Sequence, residues 1–96
     1  MDLTGLTSMI QVSVIIRYGN LGPAAADIDL LIISDDFSSM FFSKRIRLIH
    51  SILRAEKPID PICLTWREWA AYQKKQPAFC QNILQGEVLY RDHFQS

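Results

Sequence analysis

Short apolar runs separated by polar breaks organise this chain. Gln11 to Tyr18 reads as a β-strand, with Val12, Val14 and Ile16 on one parity and Ser13, Ile15 and Arg17 on the other. Gly19-Asn20-Leu21-Gly22-Pro23 interrupts it with the densest turn chemistry in the sequence. Asp27 to Ser34 is a second strand, rich in leucine and isoleucine and closed by Asp35-Asp36. Ser38, Ser39 and Ser43 then offer caps for a helix from Ser43 to Ala55. Its period predicts a buried stripe of Ile46, Ile49 and Leu53, flanked by Leu48 and Ile52, with Lys44, Arg45, Arg47 and Arg54 facing water.

Ile59 to Leu64 is a third strand, and Pro61, which cannot donate a ladder hydrogen bond, places it at an edge or makes its pairing begin late. Thr65 and Glu68 have the spacing of a capping box, opening a helix to about Lys75 on which Trp66, Trp69 and Tyr72 share a face. Pro77 starts a further helix through Leu84, with Gly86 placed to end it in the left-handed conformation. Val88-Leu89-Tyr90 is the last apolar run, and residues 1–10 suit a short helical lead-in. The order of elements predicts an α/β (α+β) fold, a small mixed β-sheet with helices packed on it, in one domain spanning residues 1–96.

Composition narrows the function classes. Ten basic and ten acidic side chains cancel, so no broad electrostatic footprint for nucleic acid is present. No apolar run approaches the roughly 20 residues of a membrane-spanning helix, and Met1 to Gln11 lacks the pattern of a secretory signal. Cys63 and Cys80 have no metal-ligand spacing and read as buried thiols of a reducing cytoplasm. His50 and His93 have no partnered ligand spacing either, and read as structural or solvated.

The candidate chemistry lies in Asp27-Ile28-Asp29. Alternation puts Asp27 and Asp29 on one face of the strand, where two carboxylates repel and resist desolvation. A hard divalent cation such as Mg²⁺ relieves both costs. The alternative is that both stand at a solvated strand start and only keep it soluble. Asp60, at the start of the third strand, is alone no more than turn chemistry.

Taken in order, a Gly19-Asn20 turn after the first strand, Asp27-Ile28-Asp29-Leu30-Leu31 on the second and Lys57-Pro58-Ile59-Asp60-Pro61-Ile62 on the third resemble the minimal nucleotidyltransferases of the DNA polymerase β superfamily. Thr65 through Glu68, and Gly86-Glu87-Val88-Leu89-Tyr90, look like that family's ending, so the resemblance covers about residues 12–91. It implies that Asp27, Asp29 and Asp60 are catalytic and hold two Mg²⁺ ions, and that Gly19 and Asn20 lie against the triphosphate of ATP or another NTP. The implied reaction moves a nucleoside monophosphate, AMP above all, to a hydroxyl. With no room for a second domain, the acceptor site would be completed by another chain. In the family's antitoxin-type members that partner is a HEPN-type toxin, modified on a tyrosine; a homo-oligomer is the other implied assembly. The chain departs from the family pattern in having Asn20 where a serine is usual. Its Leu21–Ala26 connection is also short, without hydroxyl or cation.

That departure motivates a second class of function, a nucleotidyltransferase fold without turnover that acts by protein contact. Trp66, Trp69, Phe79, Leu89 and Tyr90 would supply the apolar surface. A coincidental α/β domain with solvated aspartates is the third reading.

Overall fold

A computed structural model describes residues 1–92; His93 lies outside them. The elements run α1 (Thr4–Met9), β1 (Val14–Tyr18), β2 (Ile28–Ile33), a 3-10 turn (Asp35–Ser39), α2 (Phe42–Ile52), β3 (Ile59–Leu64), α3 (Trp66–Lys75), α4 (Pro77–Leu84) and β4 (Glu87–Arg91). The four strands form one mixed sheet in the order β3-β2-β1-β4. β1 is antiparallel to both β2 and β4, and β2 is parallel to β3. β3 is an edge strand that pairs with β2 from Ile59 onward, the first of the two placements Pro61 allows.

Each face of the sheet carries its own core. Leu30 and Ile32 of β2 join Ile15, Cys63, Leu6 of α1, Ile49 of α2 and Phe37 on one side. Leu31 and Ile33 join Ile16, Tyr18, Leu64, Trp69 of α3, and Cys80 and Ile83 of α4 on the other. A strand covered on both faces has no polar side, which is why β2 reads as an almost unbroken apolar run. Asp29 is the one β2 residue that is not fully buried. Both cysteines are free and buried, and burial pushes the Cys63 thiol up to about 12. No helix among the described residues is long and apolar enough to cross a membrane.

Three local expectations are corrected. In α2 the buried stripe takes in Arg45, which is 3% exposed, while Ile46 is 38% exposed. Arg45, Leu48, Ile49, Ile52 and Leu53 recur at helical spacing and form the inward face, so the guanidinium points at the sheet. It is satisfied there by the Met40 and Cys63 carbonyls, each at 3.1 Å, and by both carboxylate oxygens of Glu68 at 2.6 and 3.2 Å. None of Ser38, Ser39 and Ser43 caps α2. The N-cap is Phe41 without a side-chain bond, and the serine that caps is Ser34, whose hydroxyl accepts from the Asp36 N–H at the start of the 3-10 turn.

Gly86 is the third correction, since Gly19 is the glycine with positive φ among the described residues. Gly86 is needed for space: a Cβ there would fall on the Arg17 carbonyl where β4 turns in beside β1. Gly86→Ala must push β4 off the sheet, and we expect a loss of about 1–3 kcal/mol, the usual cost of forcing atoms into a packed contact. Chemical denaturation of the variant measures it; an unchanged midpoint would mean the strand gives way freely.

The capping box is present as predicted. Thr65 Oγ1 accepts from the Glu68 N–H at 3.1 Å, and Glu68 returns a carboxylate oxygen to the Thr65 N–H at 2.9 Å. Trp69 is buried and meets Tyr72, and Trp66, 46% exposed, lines the same cavity as Trp69 and donates its indole N–H to Ser13 Oγ.

Candidate functional site

One end of the sheet gathers the last residue of β1, the first residues of β2 and β3, and the Gly19–Asp27 connection. Parallel pairing of β2 and β3 sets Asp29 opposite Asp60. On neighbouring strands about 4.8 Å apart, the two side chains project abreast from the α3/α4 face. Asp27 lies one residue before β2 and is exposed, as is Asp60.

The electrostatics record the crowding. The Asp29 carboxyl is held above its ordinary value, first by burial, then by the charges of Asp60 and Asp27; Arg17 opposes the shift. Among the described residues nothing donates a hydrogen bond to Asp27, Asp29 or Asp60, and none of them forms an ion pair. Three carboxylates within Coulombic reach of one another, without a hydrogen-bonded cation, are a donor set suited to a hard metal ion. Their arrangement is open, however. Among the described residues no group of three or more His, Cys, Asp and Glu side chains is gathered closely enough to hold one. Asp29 and Asp60, fixed by register, are the fitted pair. Asp27 precedes β2, exposed and outside the strand pairing.

The Gly19 turn lies against this pair. Gly19 has φ +76°, and a Cβ on it would come within 3.0 Å of Asp29 Oδ2. The backbone favours glycine here, and a side chain would also crowd the carboxylate beside it. Asn20 turns its side chain the other way, its Oδ1 accepting from the Gly22 N–H at 2.9 Å. That closes an Asx turn and occupies the carboxamide oxygen locally. Lys57 ties the same connection to the approach to β3, its ammonium donating to the Pro23 carbonyl.

Tyr18 is the site residue that the sequence alone did not single out. It is the β1 partner of Asp29, so its ring stands beside the carboxylates on the same face. Burial and the charges of Asp29 and Asp60 push its hydroxyl up to about 12, keeping it neutral. Phe79 of α4 meets it edge-on with ring centroids 5.8 Å apart, and Tyr72 of α3 meets Phe79 in the same manner at 6.1 Å. The signal was its place directly before Gly19, but only the strand register turns that into a neighbour of Asp29. His50 is structural, with Nε2 2.8 Å from the Ile59 carbonyl, just ahead of Asp60.

No protein family, no curated protein and no solved structure matches this chain. The functional reading therefore stands on the residues at this end of the sheet.

Proposed function

We propose that the domain is a Mg²⁺-dependent nucleotidyltransferase that moves a nucleoside monophosphate, AMP from ATP, to a hydroxyl acceptor. The observation that supports it is the pairing of Asp29 with Asp60 across β2 and β3, with the Gly19 turn against Asp29 and Asp27 in Coulombic reach. In the reaction, the acceptor oxygen forms a bond to the α-phosphorus as the bond to the bridging α–β oxygen breaks. Pyrophosphate departs, and the acceptor's proton passes to Asp60 or to water. Asp27, Asp29 and Asp60 would hold Mg²⁺, which supplies charge stabilisation on the attacking and leaving oxygens. Gly19, lacking a Cβ, leaves room for phosphate oxygens close to the backbone. The acceptor is a tyrosine of a partner chain, a HEPN-type toxin in the resemblance, met in the cytoplasm.

Calorimetric titration of ATP, with and without Mg²⁺, tests this reading on the wild type and on Asp27→Asn. Metal-dependent binding that the substitution removes is expected. Binding that ignores both the metal and the substitution would overturn it.

A second reading, action by protein contact without turnover, is favoured by two observations. Asn20 is used up in its own turn, and Trp66, Phe79, Leu84 and Val88 leave large apolar areas exposed on the α3/α4 side. Trp69 is buried, and Leu89 and Tyr90 pack against the opposite core, so three of the five expected contact residues are already engaged. A strictly monomeric protein that retains no partner would count against this second reading.

A further inference from the structure

On the opposite face of the sheet, at the same end, an open cavity of about 970 Å³ lies between β1, β4, the Leu21–Pro23 turn and the segment after α2. It is of the size that holds small organic ligands. Arg17 of β1 projects into it, and its Nε is buried without a hydrogen-bond partner, the one such side-chain atom among the described residues. A buried N–H on a cation left unpaired is costly, and such atoms ordinarily have an acceptor. Glu87, its cross-strand neighbour on β4, does not supply one: the ion pair formed among the described residues is Arg45–Glu68.

Two further cations line the cavity, Arg54 and Lys57, against the carboxylates of Glu56 and Glu87. Leu3, Leu21, Ile28 and Leu89 provide apolar wall. We propose that this cavity binds a small organic phosphate, its oxyanion on Arg17 with Arg54 and Lys57, its body against the leucine and isoleucine side chains. Only the Nε of Arg17 is sealed off among the described residues, so the planar guanidinium meets a phosphate through its terminal nitrogens. Three cations against two carboxylates leave the lining net positive, which favours an anion. The roof of the cavity is the same connection whose Gly19 end touches Asp29, so an occupant would stiffen the turn that borders the carboxylates. The cavity assignment does not depend on the nucleotidyltransferase reading.

The test is titration of the full chain with phenyl phosphate, followed by ¹H–¹⁵N NMR, with inorganic phosphate as the comparison. Saturable shifts at the Arg17 Nε–H and the Leu21, Gly22 and Ile28 amides are expected, with phenyl phosphate binding more tightly than phosphate. Arg17→Gln should weaken binding at least about tenfold, since a charge-assisted pair is lost. Arg54→Gln, at an exposed position that does not threaten the fold, should weaken it several-fold. Glu87→Gln should strengthen it by removing a repelling charge. No saturable shift at millimolar ligand would overturn the proposal, as would affinity indifferent to both arginine substitutions. Shifts centred on Asp29 and Asp60 and abolished by Asp29→Asn would place the anion on the other face and overturn it too. Equal affinity for inorganic phosphate would overturn it as well, because the apolar wall would then contribute nothing to an organic ligand.

Discussion

Glu68→Ala should destabilise this protein by about 3 kcal/mol, a large share of the roughly 5–15 kcal/mol that holds a domain folded. The carboxylate has two roles at once. It closes the capping box of α3 on the Thr65 N–H, and it neutralises Arg45, whose side chain is only 4% exposed. Removing it leaves an uncompensated cation between α2 and β3, with two carbonyls and the faces of Phe42 and Phe37 as its remaining company. Breaking a fully buried pair costs about 3–5 kcal/mol; the lower end applies because the Glu68 side chain is one-third exposed and water already shares the charge. For a chain of this length the melting temperature should fall by more than about 10 °C.

The same pair predicts an acid transition. The Arg45 hydrogen bond, with help from Thr65, holds the Glu68 carboxyl below its ordinary value. A carboxyl whose pKa is lower in the folded state contributes stability above its unfolded pKa and loses that contribution as pH falls through the folded one. Stability should therefore drop below about pH 4.5 in the wild type, and the part of that slope due to Glu68 should vanish in Glu68→Gln. Urea denaturation across this range measures both. A wild-type slope that Glu68→Gln leaves intact would show that other carboxylates carry the acid response.

Asp29→Asn should do the opposite to stability and far more to activity. Burial and the neighbouring Asp60 and Asp27 charges hold the Asp29 carboxyl above its ordinary value. The folded protein therefore binds that proton more tightly than the unfolded chain. The contribution of Asp29 is most favourable below its unfolded pKa and is lost as pH rises through the folded one. At pH 7 the charge is a liability, and the neutral amide removes it. We expect Asp29→Asn to melt higher than wild type at pH 7 and to lose the advantage at pH 3, where the wild-type carboxyl is itself neutral. In the nucleotidyltransferase reading, transfer should fall by about a thousandfold, because metal-borne charge stabilisation amounts to several kcal/mol. A gain in stability with a loss of transfer would identify Asp29 as a residue kept at the fold's expense. A variant less stable than wild type at pH 7 would mean that the carboxylate is held by a favourable partner.

Much of the fold was legible in short-range patterns. The bounds of β3, the capping box at Thr65 and the proline start of α4 all follow from residues within five positions of one another. Pro61 left β3 either an edge strand or one that pairs late, because a missing N–H restricts where a strand can pair, and the sheet order selects the edge. Where a residue's role depended on a distant partner, local pattern misled. Arg45 read as a solvated cation because its charge is visible in sequence and Glu68, 23 positions away, is not visible as its partner. Gly86 read as a conformational stop, whereas its neighbour is the Arg17 carbonyl on another strand.

The candidate site divides along the same line. Sequence alone determined that Asp29 lies at the start of a strand. The expectation that Asp27 shares its face within that strand is corrected, because β2 begins at Ile28 and alternation holds only inside the pairing. Sequence likewise determined that a glycine turn precedes both. That Asp60 stands opposite Asp29, that Tyr18 closes the row, and that Arg17 faces a cavity on the far side were decided only by tertiary structure. Strand register and the rotation of a helix about its axis are settled by which long-range partners satisfy buried groups. A slip of one residue would have sent Asp29 into the core beneath α1 and α2.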